Sequence, residues 1–165
     1  MSKKLSLKQV EKENEIYKET IDVPIKVNGE DYTIVMYPFF SPTRIENVVN
    51  EFAKFAETAK EEKLKIKEND EIHIVHCFVI KEFTDIKFTA SKKAKTIYAE
   101  FKQLINNPLY KELTNYFLKD SMDLVYEAFQ NELAYFKKIE DLMSKTQQEI
   151  QNLPIENKEI LLKSE

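Results

Sequence analysis

Glycine occurs once among 165 residues, at Gly29, and cysteine once, at Cys77. Each scarcity removes a class of function. Phosphate-cradling loops need a backbone that reaches positive φ and lies close to its ligand, which glycine allows at least cost. A single glycine therefore argues against Walker-type loops and dinucleotide-binding fingerprints. A single cysteine excludes an internal disulfide framework. No stretch approaches the roughly 18 consecutive apolar residues of a membrane-spanning helix. Charge of one sign is lacking too: 25 basic residues face 29 acidic ones, and the net charge of −4 gives no overall attraction to nucleic acid or anionic membranes. Met1-Ser2-Lys3-Lys4 leads into a stretch too short and too charged for a signal peptide, so the expected location is cytoplasmic, with no membrane partner.

What remains is a chain that folds. Its length is that of one ordinary domain. A hydrophobic content of 42% with 12% aromatics supplies a core, while 33% charged residues supply solvated outer faces. Residues 1–20 mix lysine and glutamate around Leu5, Leu7, Val10 and Ile16 and read as a frayed arm or a short docking helix. Val23, Ile25 and Val27 then alternate with polar residues up to Asn28-Gly29, after which Tyr32, Ile34 and Met36 alternate again. That pattern predicts a β-hairpin with a type I′ turn. Pairing Val27 with either Glu30 or Tyr32 puts all six apolar residues on one face, which needs a cover.

The aromatic joint Tyr37-Pro38-Phe39-Phe40-Ser41-Pro42 leads into the segment that supplies the cover. Ser41 is placed to cap a helix and Pro42 to begin it, with Ile45, Val48, Val49, Phe52, Phe55, Ala56 and Ala59 at helical spacing. Residues 60–67 are charged, and the chain turns there. Residues 70–83 are β-branched at Ile72, Ile74, Val75, Val79 and Ile80, yet too long for a buried strand in a small domain; a central helix is favoured. Asp85 to Phe88 reads as an extended connector. Ser91 opens a helix striped by Ala94, Ile97, Tyr98, Phe101, Leu104 and Ile105, and Asn107-Pro108 caps and starts a shorter one. Asp120 or Ser121 caps the longest helix, in which Met122, Phe129, Phe136, Met143 and Ile150 recur every seven residues. The predicted fold is mainly α with a small N-terminal β-hairpin, an α+β arrangement in which the hairpin packs on a bundle of about five helices. Residues 1–20 form a flexible arm, residues 21–150 a single helical domain, and residues 151–165, with the isolated apolar patch Ile160-Leu161-Leu162, a flexible tail.

Candidate chemistry is sparse. His73, His76 and Cys77 are the only ligand-like cluster, and no second Cys/His group completes the three or four ligands that zinc requires. Cys77 sits among apolar residues, where burial raises a thiol pKa. Lys87, Lys92, Lys93 and Lys95 form a basic run that reads as a solvated helix start rather than a phosphate site, so nucleic acid is not the expected partner. The carboxylates lie on charged outer faces without a histidine or serine partner. The expectation is a non-enzymatic protein with no catalytic, cofactor or metal residues. The apolar stripe of the last helix exceeds what one small core covers, so Tyr126, Phe129, Leu133, Phe136, Ile139 and Met143 are the candidate partner-binding residues, and self-association is a further expectation.

The order of features resembles the tail assembly chaperones of phages and prophages of Gram-positive bacteria. It rests on the Val27-Asn28-Gly29 hairpin, the Tyr37 to Pro42 joint, the Ile45-Glu46-Asn47-Val48-Val49 helix and Phe83-Thr84-Asp85-Ile86 after an apolar helix, and covers residues 21–129. The resemblance implies a helical, non-enzymatic protein of the host cytoplasm that holds the tape measure protein while tail tube subunits assemble. The alternative is a small phage-encoded regulatory or inhibitory protein acting on a host protein or nucleic acid.

Overall fold

The computed structural model describes residues 4–152. The elements run α1 (Leu7–Glu13) with a 3-10 turn at Asn14–Lys18, β1 (Ile21–Val27), β2 (Glu30–Met36), α2 (Pro42–Glu61), a 3-10 turn at Glu68–Asp70, α3 (Glu71–Phe83), α4 (Ala94–Ile105), α5 (Pro108–Tyr116) and α6 (Lys119–Asn152). The chain divides into two compact units, residues 1–125 and 126–165, with the boundary inside α6. The fold is α+β, mostly helical, with the N-terminal antiparallel hairpin packed against the helices. Residues 7–18 of the expected arm carry α1 and its 3-10 turn. Of the expected tail, Gln151 and Asn152 are helical, and residues 153–165, with Ile160-Leu161-Leu162, lie outside the described residues.

In the hairpin Val27 pairs with Glu30, so Asn28 and Gly29 alone make the turn. Both have positive φ, 52° and 85°, as a type I′ turn requires. This register buries Val23, Ile25, Ile34 and Met36 on one face and leaves Tyr32 at its exposed end. After α3 the chain returns along β2: Met36 bridges Thr84, the Tyr37 amide donates to the Phe83 carbonyl at 2.9 Å, and the Asp85 amide donates to the Val35 carbonyl at 3.1 Å.

Ser41 caps α2 by accepting from the Arg44 amide at 3.4 Å, with Pro42 as the first helical residue. Ile45, Val48, Val49, Phe55 and Ala59 are buried, while Ala56 is on the outer side. The helix ends without glycine. Lys63 takes φ 52°, the Leu64 amide donates to the Ala59 carbonyl at 2.8 Å, and the Lys63 amide donates to the Lys60 carbonyl at 3.1 Å. This is a Schellman closure with lysine at the left-handed position that glycine usually fills. Residues 71–83 are helical, as length argued, and α3 packs against α2, α4 and α5. Ile74, Val75, Cys77, Phe78, Val79, Ile80 and Phe83 are accordingly buried.

Two helix starts differ from expectation. α4 begins at Ala94, not at Ser91, because its amide at Lys95 is satisfied from a distance: it donates to Glu62 Oε2 at 2.9 Å. The Ser91 hydroxyl instead accepts from the Lys93 amide at 3.1 Å. That carboxylate also accounts for a lysine-rich sequence at a helix N-terminus, where lysine alone opposes the dipole. α6 begins at Lys119, so Asp120 and Ser121 are inside it rather than capping it. Ser121 is buried and donates to the Pro38 carbonyl at 2.8 Å, pinning the helix start to the aromatic joint.

Candidate partner-binding surface

The joint is a structural corner. Phe40 is buried, its ring 3.6 Å from that of Phe83 at 11° and 5.5 Å from that of Phe117 at 73°. The Arg44 guanidinium lies 4.1 Å from the Tyr37 ring centre and 4.7 Å from that of Phe83. Its Nε donates to Glu82 Oε1 at 2.8 Å, and another guanidinium nitrogen donates to the Glu82 carbonyl. Rings, ion pair and backbone bonds converge on one point.

The buried and half-buried titratable groups Cys77, His73, His76 and Asp70 are likewise tied to structure. Cys77 is fully buried, and burial pushes its thiol up to about 12, away from the thiolate form. His73 and His76 both direct Nδ1 at the Tyr110 hydroxyl, each at 2.7 Å. The hydroxyl has one proton, so it donates to one ring and accepts from the other, and one histidine carries its proton on Nδ1. Burial, then the neighbouring His73, holds His76 below the ordinary histidine range. No group of three or more His, Cys, Asp or Glu residues suited to a metal occurs among the described residues. Asp70 is buried and accepts from Tyr98 Oη at 2.5 Å and from Lys102 Nζ at 3.1 Å, tying the turn before α3 to α4. The Tyr98 hydrogen bond first, and the Lys102 one next, hold its carboxyl below the usual range.

The six candidate partner-binding residues all lie on α6, within residues 126–165. They divide by exposure. Leu133 is 68%, Phe136 51% and Met143 60% exposed, whereas Tyr126, Phe129 and Ile139 are half-buried. Ile150 is helical by its backbone, and its side chain lies outside the described residues. Two exposed residues were not singled out from the sequence, Tyr135 and Leu142. The signal was there: they are seven apart and each immediately precedes a residue of the seven-spaced series, which on a helix widens the stripe on one side. With Tyr135, Phe136, Leu142 and Met143 at i, i+1, i+7 and i+8, one face of the helix presents two aromatics, a leucine and a methionine to solvent. The Tyr135 and Phe136 rings are 6.4 Å apart. No helix among the described residues is long and apolar enough to cross a membrane.

A family model described as YomO matches residues 7–163. The chain belongs to the YomO family. It is similar to the SPbeta prophage-derived uncharacterized protein YomO of Bacillus subtilis (strain 168), at 27% identity over 158 residues, covering 96% of this chain and 90% of that protein. No solved structure matches. The prophage origin of this relative bears on the origin inferred from the sequence resemblance and carries no statement of a tail assembly role.

Proposed function

We propose that this YomO-family protein is phage-encoded and works without catalysis in the host cytoplasm, as a chaperone that holds the tape measure protein, or tail tube subunits, during tail assembly. The observation that carries a holding role is the exposed apolar face of α6. A helix whose leucine, methionine and aromatic side chains remain in water is suited to reversible contact with another helix, with methionine and aromatics as adaptable anchors. The prophage-derived relative supports phage origin, and the sequence resemblance supports the assembly role. Self-association through the same face is part of the proposal, since a surface that binds an apolar helix also binds its own copy when no client is present.

Co-expression with the tape measure protein of the same phage tests the reading. The client is expected to stay soluble and to co-purify. A client that precipitates alike with and without the protein ends the proposal.

A further inference from the structure

Two runs of lysine that lie far apart in the sequence meet on one surface of residues 1–125. Lys63, Lys65 and Lys67 follow α2, and all three are exposed while Leu64 and Ile66 between them are half-buried. Lys92, Lys93 and Lys95 flank the start of α4 and are exposed around the buried Ala94. The fold ties the first run along the second. Glu62 accepts from the Lys95 amide, and Asp70 accepts from Tyr98 and Lys102 further along the same side of α4. These bonds engage the carboxylates at both ends of the segment, so the exposed acids of residues 60–70 are Glu61 and Glu68, and residues 89–95 contain no acid. None of the six lysines belongs to an ion pair among the described residues. A chain of net charge −4 thus gathers positive charge on one face.

These lysines also stand where other residues would suit the fold better. Lys63 holds φ 52°, the left-handed conformation that glycine takes without strain. Lys93 is the N-cap residue of α4 and makes no side-chain cap bond, and with Lys92 and Lys95 it puts positive charge at the helix end whose dipole is itself positive. Departures from local rules gather at functional sites. Here two independent departures fall on the same face, which marks its charge as kept for a partner.

We propose that this face binds the phosphate backbone of a nucleic-acid duplex without reading its sequence. Lysine is a flexible, hydrated point charge that meets phosphates in many registers, and the single arginine of the chain, Arg44, is engaged with Glu82 elsewhere. No large apolar or aromatic side chain is exposed within residues 60–70 or 84–97. The face therefore has neither a wedge for a membrane nor a ring on which single-stranded bases stack. A duplex carries one negative charge per about 1.7 Å, against at most one per about 3.3 Å along an acidic peptide, so it best overcomes repulsion from a net-negative chain. The surface works independently of the α6 face.

Fluorescence anisotropy with the full chain and short labelled duplexes of two unrelated sequences, in DNA and in RNA, tests this. The two sequences are expected to bind alike, and affinity to fall about 10²-fold from about 50 to about 200 mM salt, as counterion release at about four phosphates requires. Retention of either the DNA or the RNA form with this salt dependence supports the proposal. Lys92→Glu with Lys93→Glu is expected to weaken binding at least about tenfold and to flatten the salt dependence, although glutamate suits the helix dipole. Lys63→Gly is expected to weaken binding about twofold to threefold while raising the urea midpoint, a pair of effects that misfolding does not produce. Phe136→Asp on α6 leaves binding unchanged, so this proposal and the α6 reading fail separately. No binding at the lower salt, binding that salt does not weaken, unchanged affinity of the lysine variants, or polyglutamate competing as well as unlabelled duplex at equal charge overturns the proposal.

Discussion

Phe40 and Phe136 are the same residue type, each directly after another aromatic residue in sequence, yet Phe40 is 2% exposed and Phe136 51%. The difference comes from how many chain segments arrive. At Phe40 the end of the hairpin, the start of α2, the end of α3 and the residues between α5 and α6 all converge, so its ring meets Phe83 and Phe117 while Ser121 closes the adjacent backbone. Phe136 sits mid-helix in a unit whose described part is α6 alone. Apolar content is therefore a poor guide to burial, and topology decides which apolar residues become core and which become surface for a partner.

Truncating both rings gives the largest contrast. Phe40→Ala is expected to lose about 3–5 kcal/mol in urea unfolding, from lost transfer energy plus the cavity left among Phe83 and Phe117. Phe136→Ala should stay within about 0.5 kcal/mol of wild type. Comparable losses at the two positions would break the comparison. Arg44→Met comes next, at about 2 kcal/mol, because it removes the charged hydrogen bonds to Glu82 while keeping an apolar contact with Tyr37 and Phe83.

Acid sharpens the same contrast with a smaller effect. The carboxyl of Asp70 titrates lower in the folded chain than unfolded, so its contribution is complete above the unfolded value of about 3.9 and is lost as pH falls through the folded one. His76, also held low, binds its proton more readily when unfolded, so stability declines as pH drops below about 6.5. Thermal midpoints across this range should fall in both windows. Asp70→Asn should flatten the lower window and His76→Phe the upper, with the Phe136 variant following wild type. The smallest effect is a gain: Lys63→Gly relieves the left-handed lysine that ends α2 and should add about 0.5–1 kcal/mol, read as a higher urea midpoint.

Local rules were legible in the sequence where both partners are near in the chain. Asn28-Gly29 announced its turn, and Ser41-Pro42 and Asn107-Pro108 announced their helix starts, because each cap bonds an amide two or three residues on. The starts of α4 and α6 were not legible, since Glu62 reaches Lys95 across 33 residues and Ser121 reaches Pro38 across 83. On α6 the seven-residue series marked Phe136 and Met143 but drew attention from Tyr135 and Leu142.

Co-purification of the tape measure protein of the same phage with wild type and with the double variant Leu133→Asp, Phe136→Asp tests the central claim most directly. The account predicts stoichiometric recovery with wild type and at least about a tenfold loss with the variant, at an unchanged unfolding midpoint. Recovery equal in both, or absent in both, contradicts it.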